Sequence, residues 1–261
     1  MTSSSPDTQL RRDAAGTLPS ERAGEWRAID RYRVRVNDLP NFRILRKDIF
    51  ERRIYHFESD HRSPRIIDGG ANIGLSILYF KTMFPDARIV AFEPDPTILP
   101  FLGDNLAANG IDDVSLVEAA LSGRSGEAVL HSDGKYGSSL HAPTAAPAAT
   151  TDSTYTVSCV RLRDYLTEPT DFMKLNIEGA EWDVLANSED RLRSVRAMVV
   201  EYHHQPGLPR TLHRILELLD RCGFDYLIND FDAETNPKSQ PPFRIGPDSR
   251  YYLLIYGQRR N

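Results

Sequence analysis

Residues 65–76 read RIIDGGANIGLS and residues 88–93 read RIVAFE. Each opens as a short run of aliphatic, largely β-branched residues, the pattern of a strand buried on both faces. The first run breaks at Gly69, Gly70 and Gly74 and passes into a helical pattern over 73–84. The second ends in Glu93 and gives way, after PDP, to a helical pattern over 96–108. Strand, helix, strand, helix in this order demands a parallel sheet, because successive parallel strands need a crossover and a helix supplies it. The expected fold is therefore α/β, doubly wound, with helices on both faces of a mostly parallel sheet.

Working outward, VSLVEA from Val114 is the third strand. GEAVLH, YGSSLH and YTVSCV, rich in Gly and Ser, read as hairpins that interrupt the alternation, and HAPTAAPAATTDS from His141 reads as an exposed, mobile loop. The alternation resumes with DFMKLNI from Asp171, a helix over 181–186, RAMVVEY from Arg196 and an amphipathic helix over 208–221. Leu212, Ile215, Leu216, Leu218 and Leu219 line one side of that last helix. FDYLIND from Phe224 and YYLLIYG from Tyr251 have only the Pro-rich loop NPKSQPPF near the second half of their connection, so the last strand should close the sheet antiparallel. Upstream, residues 1–25 read as a disordered tail and 26–63 as a small N-terminal cap, leaving 64–261 as the main domain.

The net charge of −5 supplies no global positive field, so a nucleic acid substrate is not expected. Arg43, Arg46, Arg52 and Arg53 are interleaved with Asp48, Glu51 and Glu58, the pattern of a solvated face. Apolar runs fall well short of the roughly 20 residues of a membrane span, and charges interrupt the first residues where a secretory core would lie. Cys159 and Cys222 stand far apart with no zinc spacing, which suits two buried thiols in a reducing, cytoplasmic compartment. A homo-oligomer is neither required nor excluded.

The chemistry gathers at strand ends. The turn with Asp68, Gly70, Asn72 and Gly74 lies where an open α/β sheet places its ligand crevice, and Glu93 ends the neighbouring strand, where an acid can accept from both hydroxyls of a ribose. Together they imply an adenosine-type cofactor. A pyrophosphate needs free backbone N–H groups and a helix N-terminus, and Asp68 would repel it. The ammonium of S-adenosylmethionine would instead find in Asp68, aided by Asn72, a charge-assisted partner. No Tyr-x-x-x-Lys pair of a common dehydrogenase type is present. Further along, KLNIEGAEWDVL ends a strand at Asn176 and Glu178, which share one side of it, and VVEYHH ends another at Glu201, His203 and His204. Asn176, Glu178 and Glu201 are candidates for a divalent metal, though the first two also suit orienting a hydroxyl or capping the next helix. His203, Glu178 and His204 are the candidate bases, with His203 favoured for the near-neutral pKa of an unperturbed imidazole.

These pieces, IIDGGANIGLS, AFEPDP, EAALSG, GSSL, KLNIEGAEWDVL and VVEY, resemble the FkbM family of S-adenosylmethionine-dependent methyltransferases over about residues 65–202. The resemblance implies a class I methyltransferase, Rossmann-like fold and O-methylation of a sugar, glycan or natural-product small molecule. It also implies that Asp68, Gly70, Asn72 and Gly74 bind the methionine end, that Glu93 binds the ribose, and that Ala119 and Ala120 border the adenine. The chain departs from the family at Asn176, where an Asp is common. That departure keeps a non-catalytic cofactor-binding protein open, beside an NAD-dependent oxidoreductase on a Rossmann-like domain.

Overall fold

The computed structural model of the protein describes residues 24–134, 138–141, 153–205, 207–229 and 251–260. Residues 1–23 of the tail expected over 1–25, nearly all of the Ala/Pro/Thr stretch and the NPKSQPPF loop lie outside the described residues, and Glu25, the last residue of that expected tail, opens a strand. At the centre is a seven-stranded sheet whose first parallel members are β3 (Arg65–Gly69), β4 (Arg88–Phe92) and β5 (Val114–Val117). On the other side of β3 lie β9 (Thr170–Leu175) and β10 (Val195–His204), both parallel to it. The sheet is completed by β11 (Phe224–Asn229) and β12 (Tyr251–Arg259), in the order β11-β12-β10-β9-β3-β4-β5. β12 runs antiparallel to both of its neighbours, as the missing helix implied.

Alternation along each strand feeds two cores. Ile66, Phe172, Val199 and Leu254 face one apolar cluster with α2 (Leu75–Met83) and α3 (Leu99–Ala108). Their neighbours Ile67, Met173, Val200 and Ile255 face the other, with α4 (Glu181–Asn187) and α5 (Leu212–Arg221). This two-sided burial is why the strands read as unbroken apolar runs. α5 buries Ile215, Leu218 and Leu219, and Leu212 and Leu216 pack partly against the same cluster.

α2 and α3 start later than the sequence pattern suggested, each for a local reason, whereas α4 starts at Glu181 as expected. Gly74 is left-handed (φ 91°), so α2 begins at Leu75 rather than at Ile73. Asp95 accepts from the Thr97 N–H at 2.7 Å, a turn that holds the chain out of helix before α3. The hairpin region forms a small separate sheet, β6-β8-β7, of β6 (Ala120–Ser122), β7 (Gly126–Ser132) and β8 (Ser153–Arg161). YGSSLH adds no strand to it among its described residues, only a bridge between His131 and Ser139.

The N-terminal segment pairs β1 (Glu25–Ile29) with β2 (Tyr32–Val36), then forms α1 (Leu39–Arg46) and a π-helical turn over Lys47–Glu51. Its Ile29, Tyr32, Val34, Phe42 and Phe57 join the cluster of α2 and α3, so the cap packs into the main core.

Candidate active site

The candidate residues lie along the carboxyl edge of the parallel strands. Gly70 and Ala71 donate their N–H groups to the Phe92 carbonyl, which curls the turn after β3 over the end of β4. Gly70 is left-handed (φ 80°), and a Cβ built on it would lie 1.9 Å from the Asn176 carbonyl oxygen. Only glycine fits there, and the close approach brings the turn against the loop after β9. Asn72, also left-handed at φ 49°, donates its N–H to Glu93 at 2.8 Å, and Asp95 N–H donates to the other oxygen at 2.9 Å. Glu93 is thus aimed by two backbone donors from opposite sides. Burial raises its pKa to about 7 despite those donors. Ala119 and Ala120 are buried at the end of β5 and the start of β6.

Asp68 has no solvent exposure. One oxygen accepts from the Ser76 hydroxyl at 2.5 Å, and the other lies 3.0 Å from the Lys174 ammonium. Lys174 points its hydrogens at the Gly69 and Gly70 carbonyls, at 3.1 and 2.5 Å, so it ties β9 to the turn. The Asp68 Oδ1 has no hydrogen-bond donor among the described residues. That oxygen is instead paired with the Lys174 ammonium, so Asp68 braces the turn from within, while the oriented Glu93 carboxylate fits the ribose diol of S-adenosylmethionine. Lys174, the resident cation of this crevice, was not singled out by the sequence motifs.

The second half of the site surrounds His203. Its Nδ1 meets Glu181 at 3.0 Å and its Nε2 faces Glu178 at 3.5 Å. Burial alone would lower the imidazolium's pKa, but Glu178 and Glu181 overcome it and raise it to about 10. Against the expectation of a near-neutral base, the two carboxylates beside His203 favour its protonated form. Glu178, left-handed at φ 52°, has its pKa raised by burial, with His203 pulling the other way. A non-glycine residue held in this region stores backbone strain, which is common where a side chain must be aimed. Glu181, the acid that opens the helix of KLNIEGAEWDVL, also accepts from the Gly179 N–H at 3.1 Å.

His204, on the opposite face of β10, does not join this cluster. It lies against the Tyr251 ring with centroids 4.8 Å apart, and burial lowers its pKa. β10 runs on through both histidines, and a strand sends successive side chains to opposite faces.

Glu201 turns inward. Its Oε1 accepts from the hydroxyl of Tyr55, a cap residue, and its Oε2 accepts from the Asn176 amide at 2.9 Å. Burial raises the pKa of both Glu201 and Tyr55. The proposed metal set of Asn176, Glu178 and Glu201 is therefore divided: Glu201 is engaged by Tyr55 and Asn176, and Glu178 faces a histidinium that supplies positive charge. Among the described residues no three His, Cys, Asp or Glu side chains converge as metal ligands. As placed, Asn176, Glu178 and Glu201 do not fit a shared metal site.

A sheet ordered as above, with one antiparallel strand and a glycine turn facing an acid on the next strand, defines an S-adenosylmethionine-dependent class I methyltransferase. The chain belongs to the FkbM family: the model of the Methyltransferase FkbM domain matches residues 68–226. It is 31% identical to Methyltransferase sdnD of Sordaria araneosa over 214 residues, covering 70% of this chain and 82% of that protein. It is 29% identical to 2-O-methyltransferase NoeI of Sinorhizobium fredii over 176 residues, covering 60% and 71% respectively. Among solved structures, M. jannaschii TYW2 in complex with AdoMet shares the fold, with a TM-score of 0.50 at 11% identity over 91% of this chain and 87% of that one. Among the described residues no helix is long and apolar enough to cross a membrane.

Proposed function

We propose that this methyltransferase acts on a hydroxyl of a sugar or natural-product small molecule, and that Glu178 receives the hydroxyl's proton. The observation that carries this reading is a gradient of exposure across three linked side chains. Glu181 is 1% exposed, His203 9% and Glu178 24%. The two inner groups form a charged pair that orients the outer carboxylate, and Glu178 is the member a ligand can reach. Its burial-raised pKa makes it a better proton acceptor at neutral pH than an ordinary glutamate, while His203 stabilises its ionised form. The name of the Sinorhizobium relative supports an oxygen acceptor.

Toward the cofactor, the turn of Asp68, Gly70, Asn72 and Gly74 would hold the methionine end. Glu93 would take the ribose, and Ala119 and Ala120 would border the adenine. Asp68 and Lys174 brace that turn. S-adenosylmethionine, when bound, supplies an electrophilic methyl group, a reaction in which holding the acceptor correctly carries much of the catalysis. The protein's task is then to fix the acceptor oxygen with Glu178 and to remove its proton. Tyr55, reaching in from the N-terminal segment, and Glu201 of β10 meet at the same end of the sheet.

The test is incubation with S-adenosylmethionine and a panel of methyl glycosides and hydroxylated small molecules, with products read by mass spectrometry. A methyl ether is expected from the wild type, and Glu178→Gln should lower turnover by about 10²–10⁴-fold without altering cofactor affinity. Methylation confined to nitrogen or sulfur, or undiminished turnover in Glu178→Gln, would end this reading.

A further inference from the structure

Ser138 and Ser139 are adjacent, yet their hydroxyls reach opposite halves of the site. Ser138 donates at 2.5 Å to Asp95 Oδ2, an oxygen that also accepts from Ser132. Asp95 has no solvent exposure, its other oxygen holds the Thr97 N–H and hydroxyl, both at 2.7 Å, and its own N–H aims Glu93. Ser139 donates at 2.8 Å to the carbonyl of Glu178, and its oxygen accepts from the His141 N–H at 3.1 Å. The Ser139 backbone is itself pinned to His131 by two hydrogen bonds of 2.9 Å. A path of hydrogen bonds, joined through Asp95 itself and through the Ser138–Ser139 peptide bond, thus runs from the Asn72 N–H by way of Glu93 to the strained backbone of Glu178.

We propose that Ser138 and Ser139 are positioning residues that couple occupancy of the ribose side of the crevice to the placement of Glu178. The proposal rests on the reading of Glu93 and Glu178 given above. A ligand that draws on the Glu93 carboxylate alters the strength of its bond to the Asp95 N–H. Asp95 has no solvent exposure and its side chain accepts four hydrogen bonds, so a displacement of it passes to Ser138 rather than dissipating in solvent. Ser139 then moves the Glu178 carbonyl, and a residue at φ 52° has few neighbouring backbone states in which to absorb the change. Gln205 also donates to that carbonyl, at 3.1 Å, and offers an internal comparison because no hydrogen bond among the described residues links it to Asp95.

The readout is the His203 ring, which faces Glu178, followed by NMR in the full chain with and without S-adenosylmethionine, and no acceptor is needed. In the wild type the cofactor should shift the ring resonances. Ser139→Ala should abolish that response and lower the His203 titration midpoint by about one unit, with cofactor affinity by calorimetry unchanged within about twofold. Ser139→Thr keeps the hydroxyl and should restore the response, and Gln205→Leu should retain it. Should Ser139→Ala fail to fold, Ser138→Ala reads the other end of the path: it should likewise lose the response. A cofactor response in Ser139→Ala or Ser138→Ala equal to wild type overturns the proposal, as does its loss in Ser139→Thr. Turnover of Glu178→Gln tests the acceptor reading separately, so the two failures are distinguishable.

Discussion

Glu93 should make cofactor binding depend on pH in the neutral range. Its carboxylate sits between two backbone donors in a buried position that raises its pKa to about 7. If only the ionised form accepts from the ribose hydroxyls, the apparent Kd scales as one plus the ratio of protonated to ionised carboxylate. Between pH 8 and pH 6 the ionised fraction falls from about nine-tenths to about one-tenth, which weakens binding about tenfold, or about 1.4 kcal/mol. The sign for folding is opposite. A carboxyl whose folded pKa lies above its unfolded value favours the fold at acid pH, and that contribution fades as pH rises through 7, by about 3 kcal/mol in all. Ligand hydrogen bonds to the ionised form offset this cost, so the cofactor should stabilise the protein more at pH 8 than at pH 6. Isothermal calorimetry with S-adenosylmethionine across this range measures the affinity, and Glu93→Gln is the control that removes the titration while keeping the shape. A wild-type Kd that stays flat, or a slope that survives in Glu93→Gln, would refute the assignment of the ribose to this residue.

Lys174→Met should destabilise the fold by about 3–5 kcal/mol, because it leaves the buried Asp68 carboxylate without its ion-pair partner. A melting temperature within a degree or two of wild type would contradict the pairing. Gly70→Ala should abolish cofactor binding, since the added methyl collides with the Asn176 carbonyl at 1.9 Å and the backbone there is left-handed. Calorimetry showing unchanged affinity in a folded variant would mean that the turn and the loop after β9 separate freely.

Most of the scaffold was legible because its signals are local. RIIDGG and RIVAFE announce buried strands by composition alone, and the missing helix before β12 implied the antiparallel strand. Alternation along VVEYHH likewise separates His203 from His204 without a structure. What escaped depends on distant partners. Lys174 lies 106 positions beyond Asp68, and in a strand of buried residues a lysine carries no mark of the acid it will meet. Tyr55 and Glu201 meet across 146 positions. The electrostatic surroundings of His203 escape the sequence for the same reason: Glu181 reads as an ordinary first-turn acid, and only folding brings it and Glu178 to either side of the imidazole.

The placement of β12 also bears on how the molecule is made. It slides between β10 and β11, two strands synthesised before it, with eight residue pairs on one side and six on the other. Until residue 259 has left the ribosome, β10 presents a bare apolar edge and β11 has no sheet to join. Half of the active-site wall, including the strand that carries Glu201 and His203, must then wait for the closing strand. A nascent chain stalled before Tyr251 should be a client for chaperones rather than a slow enzyme.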